Sequence, residues 1–298
     1  MQVHLYDFRW NDPTQVEFQA SNGGRFGRKK LSIGDNLSIA VKSTVACGGS
    51  MRDNVWQACP QQVTGRKKCD TCRNREGNFV FTSFDGFNTD MFTSDDLARL
   101  QGPHVVYLAL FNEGLKKVGV SKSSRKTLRQ VEQGSHQTLF IAETTDGILA
   151  RQLETCFRQS GLADKIQANA KKDFICPEIN ESQGEAELNT ALESAKASLD
   201  SHPQLKQFLL EKPEFIDWSD TFGITTVKNH SKPLHVVKLA EDESVSGTII
   251  GLKGPFIMLE TPDEIVAICA KDLQGLQLDF TPTEAGLSLN SALQNALF

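Results

Sequence analysis

Four cysteines fall within 26 residues, at Cys47, Cys59, Cys69 and Cys72, with eleven, nine and two residues between them. Thiolates bind zinc tetrahedrally, and a two-residue spacer lets one tight turn supply two ligands while a longer loop returns the other two. The stretch "KKCDTCRNR" around Cys69 and Cys72 is the specific part of this pattern, and the spacing predicts a structural zinc site. A redox dithiol at Cys69 and Cys72 is the rival reading, but no strand-to-helix pattern of thioredoxin type surrounds the pair. Seven cysteines, an odd number, suit metal binding in a reducing compartment better than a disulfide framework. Cys156 and Cys269 sit in apolar runs and are expected in the core, while Cys176 receives no role.

The second chemical feature is the stretch "VVYLALFNEGLKKVGVS", residues 105 to 121, which reads as two half-buried strands and a short turn. A three-residue loop at Asn112, Glu113 and Gly114 would put Phe111 opposite Leu115, Ala109 opposite Lys117 and Tyr107 opposite Gly119. All six would then share one face. A glycine across from a tyrosine leaves room above the ring, and the expectation is that something approaches there.

The elements around these residues suggest an α+β chain in four parts. Residues 1–100 mix strand-like runs with glycine- and asparagine-rich loops carrying the four cysteines, a β-rich zinc-binding module. Residues 101–175 read as hairpin, helix, strand, helix, a small α/β unit. The polar stretch 176–222 has the alanine, leucine and glutamate content of a helical spacer ended by Pro213. From residue 223 to 298 short strands with turn signals return, a C-terminal β module. On the second helix of the α/β unit, Leu149, Leu153, Cys156 and Phe157 form one apolar stripe with Glu154 on its flank, where it could pair with Arg158.

Hydrophobic residues make up 39% and charged residues 23% of the 298, an ordinary balance for a globular protein. The longest apolar run is far short of the 18 or so residues of a membrane span, and the start "MQVHLYDFRW" lacks the layout of a signal peptide. A cytoplasmic protein is expected. The net charge of -5 hides a division. Residues 1 to 175 carry 24 Lys and Arg against 18 Asp and Glu, a balance of +6, and residues 176 to 298 carry 8 against 19, a balance of -11. Basic clusters at 25–30, 65–75 and 115–129 are candidates for one phosphate-attracting surface or for three separate solvated loops.

Taken together, the hairpin, an arginine on the next helix and a glutamate on the second helix resemble the GIY-YIG nuclease domain over roughly residues 104 to 160. The wider layout, with its cysteine-rich N-terminus, "RQVEQG" and a late "GLKGPFIML" strand, looks like the prokaryotic proteins grouped as domain of unknown function family 2797. The nuclease resemblance implies a first-strand tyrosine at Tyr107, the second-strand glycine at Gly119, the helix arginine at Arg129 and the glutamate at Glu154. Two positions depart from that pattern: Lys117 stands where the second motif has tyrosine, and Gln133 where a histidine is common.

The activity implied is metal-dependent hydrolysis of a phosphodiester in DNA or RNA. Tyr107 would orient or deprotonate water, Arg129 would hold non-bridging oxygens, and Glu154 would bind one Mg²⁺ or Mn²⁺. Lys117 would handle phosphate, with His136 as another proton handler, and Lys116, Lys122, Arg125 and Lys126 would hold the strand. The alternative is a protein that keeps this fold and binds nucleic acid without hydrolysis, which the Lys117 departure favours. A thiol-redox protein comes third.

Overall fold

The computed structural model describes residues 2–289 other than 23, 53–54, 77–83, 91, 164, 167–170 and 282. The chain divides into two compact units, residues 1–78 with 221–298, and residues 79–220. Among the described residues no helix is long and apolar enough to cross a membrane.

The first unit opens with β1 (Gln2–Asp12), β2 (Gln15–Asn22), β3 (Arg25–Ser32), β4 (Asn36–Val41), β5 (Ser50–Arg52), β6 (Val55–Gln57) and helix α1 (Asp70–Glu76). The second holds α2 (Ser94–Arg99), β7 (Gln101–Asn112), β8 (Leu115–Lys122), α3 (Lys126–Gln133), β9 (Gln137–Asp146), α4 (Gly147–Gln159), α5 (Glu181–Lys196) and β10 (Leu209–Asp217). The chain then returns to the first unit with α6 (Ile224–Lys228), β11 (Leu234–Val237), β12 (Ser244–Lys253), β13 (Phe256–Glu260), β14 (Ile265–Cys269), β15 (Gln277–Asp279) and β16 (Gly286–Ser288).

The fold is mixed α+β and rich in strand, as expected, but its parts are joined differently. In the first unit the strands run β11-β14-β13-β12-β4-β15-β1-β2-β3, with β16 also on β12. β4 pairs with β12 and β15, and β1 pairs with β15, so the two ends of the chain build one sheet. The separate N- and C-terminal modules drawn from sequence are therefore a single unit. Local periodicity marks each strand but carries nothing about partners more than 200 residues away.

In the second unit a four-stranded antiparallel sheet runs β10-β9-β7-β8. β7 is not half-buried as its hairpin reading suggested. Val106, Leu108 and Leu110 pack on one side with α4 and α5, and Val105, Tyr107, Ala109 and Phe111 pack on the other with Phe140. Burial on both faces explains why the strand reads as a continuous apolar run. α4 begins at Asp146, whose side chain accepts from the backbone N–H of Ile148 and Leu149, a cap that stabilises a helix by about 1 kcal/mol. Its Leu153, Cys156 and Phe157 are buried as the stripe predicted.

The expected spacer is also corrected. Leu188, Ala191, Leu192 and Ala195 of α5 belong to the core of the second unit, so this helix covers the sheet. Pro213 does not end a helix but sits in β10, within an irregular stretch of its pairing to β9. β10 is the outermost strand of that sheet, where proline is tolerated because no ladder donor is lost.

Since β4 and β1 are completed by β12 and β15, a fragment of residues 1–100 is expected to remain unfolded alone. Circular dichroism and amide dispersion of that fragment check this, and a cooperatively melting fragment would contradict the shared sheet.

Candidate functional site

The four cysteines come together. Their Sγ atoms all lie within 4.8 Å of one another, and Cys59 Sγ is 3.7 Å from Cys69 Sγ. A tetrahedral zinc with Zn–S near 2.3 Å has S–S edges of about 3.8 Å, whereas a disulfide needs about 2.05 Å. The spacing is that of a metal cage. Cys47, Cys69 and Cys72 are buried and Cys59 is partly exposed. The backbone N–H of Cys69 donates to Cys47 Sγ at 3.3 Å, as donors around a thiolate cluster do. Burial raises the Cys47 and Cys72 thiols. Burial also works against Cys59, yet backbone donors at Val63 and Gln61 and the Cys47 and Cys69 thiols bring it down to about 6. One ligand is thus readily ionised, and a cation would favour ionisation of Cys47 and Cys72. The four thiols can hold a metal ion such as zinc.

Glu76, at the end of α1, ties this knot to the sheet. It accepts from Tyr6 Oη at 2.6 Å, from Met51 N at 3.1 Å and from Lys68 Nζ at 2.5 Å. Burial holds its carboxyl up, but the hydrogen bonds from Lys68, Tyr6 and Met51 outweigh it and the carboxyl sits below the usual range. Sequence reading had no signal for this brace.

In the second unit Tyr107 pairs with Gly119 and Ala109 with Lys117, as the hairpin predicted. The loop differs: Asn112 pairs with Leu115 around a Glu113–Gly114 turn, with Gly114 at φ 70°, and the irregularity falls at Phe111. The expected opening above the tyrosine ring does not exist. A Cβ added at Gly119 would stand 2.6 Å from Tyr107 Oη and 2.8 Å from its Cζ, so the phenol itself fills the space that glycine leaves. Tyr107 is 1% exposed.

What surrounds that hydroxyl are the residues singled out by sequence. Gln133 Nε2 donates to Tyr107 Oη at 2.6 Å and reaches the Arg129 carbonyl at 3.3 Å. Burial pushes the phenol's pKa up, the Arg129 charge and the Gln133 hydrogen bond pull against it, and the Glu154 charge adds to the rise. Tyr107, Arg129, Gln133 and Glu154 thus share one neighbourhood, and the net result is a phenol held in its neutral form. Glu154 is 5% exposed and is engaged by Arg151, the residue three before it. Lys117 is also buried, its stretch of β8 bridging to Ala163.

The expected strand-binding cations divide into two groups. Lys116 is drawn to Glu187 at 2.8 Å and Lys126 to Glu214 at 2.7 Å, both from the acidic second half of the chain. Arg125 and Arg129 have half-exposed side chains and share one counter-ion, Glu132, at 2.6 and 3.7 Å. Lys122 is exposed. The basic clusters at 25–30 and 65–75 belong to the first unit and that at 115–129 to the second.

A family model described as a protein of unknown function (DUF2797) matches residues 34–278. The chain belongs to that family. No curated protein and no solved structure matches it. The matched span of this DUF2797 member includes the four cysteines and the whole second unit.

Because the Tyr107 ring occupies the space at Gly119, Gly119→Val is expected to destabilise the second unit by about 1–3 kcal/mol through overpacking. A lower urea midpoint with the cysteine cluster unchanged is the outcome to look for. Wild-type stability would show that the ring can give way.

Proposed function

We propose that the four-thiol cluster holds a structural zinc, and that the second unit is a GIY-YIG-like domain that binds the phosphate backbone of nucleic acid without cutting it. The observation that carries the non-catalytic reading is the seal around Tyr107. A phenol 1% exposed, with Gln133 on its oxygen, has no room for an attacking water, and a glutamate engaged by Arg151 is not free to take a metal. What remains open is the row Lys122, Arg125 and Arg129 on the edge formed by β8 and α3. Exposed ion pairs such as those to Glu132 contribute only a few tenths of a kcal/mol to about 1 kcal/mol. A phosphate can displace them.

Zinc is supported by the sulfur spacing and by the all-cysteine donor set, which suits a closed structural site. Protein purified without added metal is expected to carry about one zinc per chain, and Cys69→Ser to lose it together with part of its folding stability. Absence of zinc, or zinc retained by Cys69→Ser, would overturn this part.

Binding to DNA or RNA oligomers should weaken steeply with salt, because each neutralised phosphate releases counter-ions. Glu132→Gln removes the counter-ion that Arg125 and Arg129 share and is expected to tighten binding several-fold, while Arg125→Ala with Arg129→Ala flattens the salt slope. No effect of either would remove these residues from the interface.

Hydrolysis is the second reading, favoured by the gathering of Tyr107, Arg129 and Glu154 around one hydroxyl. If the Arg151 side chain yields to Mg²⁺ or Mn²⁺, Glu154 becomes the metal ligand. Incubation of wild type and Glu154→Ala with single-stranded and duplex DNA and RNA in each metal separates the two readings. Cleavage by wild type alone would establish hydrolysis, and cleavage by neither is the expected result.

A further inference from the structure

Strand β3 is the outermost strand of the large sheet and carries Arg25, Arg28, Lys29 and Lys30 with no acidic residue. Its register against β2, and that of β2 against β1, sorts the three strands into two faces. Phe8 pairs with Phe18, which pairs with Lys29, and this side is largely core. On the other side Arg9 pairs with Glu17 and Glu17 with Lys30, Asp7 pairs with Gln19 and Gln19 with Arg28, and Ser21 pairs with Phe26. That face is polar, buried at Glu17 and Gln19 of β2 and open along its cationic β3 rim, and it ends in aromatic rings. Phe26 stacks on Trp56 with centroids 5.5 Å apart and planes 21° from parallel, and Tyr6 meets the edge of Phe26 at 6.1 Å.

Charged residues on an outermost strand have an ordinary use, which is to prevent edge-to-edge pairing with another chain. That accounts for Arg28 and Lys30. It does not account for a stacked pair of partly exposed aromatic rings in line with them. Phe26, Arg28 and Lys30 are spaced two residues apart, about 7 Å per step along a strand, so a ring and two cations follow one another at regular intervals on one face.

We infer that this face, Phe26 and Trp56 with Arg28 and Lys30, is a binding platform for single-stranded nucleic acid. A base extends the Phe26–Trp56 stack, and the backbone leaving it runs along the β3 rim over Arg28 and Lys30. Stacking on aromatic rings combined with a cationic track is how proteins hold unpaired strands without reading sequence. A duplex keeps its bases inside and offers no ring to the stack. Arg28 is 51% exposed at its side chain and only 3.7 Å from the buried Glu17, so a phosphate meets a cation whose position is already set. The inference rests on the nucleic-acid reading above but uses none of the residues of the second unit.

The chain carries its own reporter. Trp10 and Trp218 are each 4% exposed, whereas Trp56 is partly exposed. Titrating the full-length protein with a thymidine oligonucleotide at low salt should quench tryptophan emission, and Trp56→Phe should abolish that quenching. Phe26→Ala is expected to weaken binding about tenfold, the scale of one lost base stack. Arg28→Gln with Lys30→Gln, which keep polar side chains beside Glu17 while removing both charges, should lower the log–log salt slope by about 1.4, since each phosphate left without its cation takes about 0.7 from it. The pair Arg125→Ala with Arg129→Ala is measured beside them as the arm that tests the second-unit reading. Binding that ignores Phe26, Arg28 and Lys30 but is lost with Arg125 and Arg129 would overturn the platform and leave the second-unit reading standing. No binding by any form would overturn both. Equal quenching by a polyglutamate peptide or by duplex DNA would overturn the assignment to single strands.

Discussion

The second unit turns on one contact, the Tyr107 ring lying against Gly119 across the β7–β8 pair. The ring can be buried only because glycine leaves the space, and once buried its hydroxyl needs partners. Gln133 supplies a hydrogen bond and so links α3 to the sheet, beside the buried Val131 of the same helix. Arg129, one turn before Gln133, and Glu154 on α4 are then drawn into the same neighbourhood. A phenol, a guanidinium and a carboxylate gathered in a low-dielectric place look like catalytic equipment, but here the gathering closes the site. Desolvation is the dominant influence on the phenol, which makes it a packing residue with a satisfied hydroxyl rather than a base.

A similar economy marks the first unit. The sheet is completed by strands from both ends of the chain, and the four-thiol knot is fastened to it through Glu76, Tyr6 and Lys68. The charge division seen in the sequence has a local meaning as well. In the second unit, acidic residues from beyond position 176 neutralise Lys116 and Lys126, so a count of cations overstates what is open to a phosphate. Among the described residues, cations that stay open include Lys122, Arg125 and Arg129 in the second unit and those on β3 in the first.

Much of this was legible in the sequence where the signal was local. The cysteine spacing led to a real cluster because two ligands come from one turn. The pairing of Tyr107 with Gly119 was read with a three-residue loop and survives a two-residue turn because the unpaired Phe111 restores the count, and the apolar stripe of α4 followed from its period. What was not legible depended on distance or on which side chain wins a contest. No local pattern links β4 to β12 or β1 to β15. The glycine was read as an opening when it was the seat of the ring, because sequence gives the vacancy but not its occupant. Pro213 ended a helix on paper and lies in an outer strand in fact, since proline is compatible with both. Glu154 is engaged by Arg151, a neighbour at i−3 that the apolar stripe of the helix gave no reason to single out.

The central claim is that Tyr107 is sealed, and its ionisation tests this most directly. The chain has two tyrosines, Tyr6 and Tyr107. Burial raises both, helped at Tyr6 by the hydrogen bond and charge of Glu76. An exposed phenol ionises near pH 10. Both folded phenols stay protonated there while the unfolded ones would not, so their contribution to stability is complete below about pH 10 and falls away as pH rises through the folded values. Following phenolate absorbance in the near ultraviolet against pH, alongside circular dichroism, the expected result is no phenolate until the protein unfolds in strong alkali. One tyrosine ionising reversibly near pH 10 or below in the folded protein, and missing from Tyr107→Phe, would show an open and accessible phenol and contradict the account.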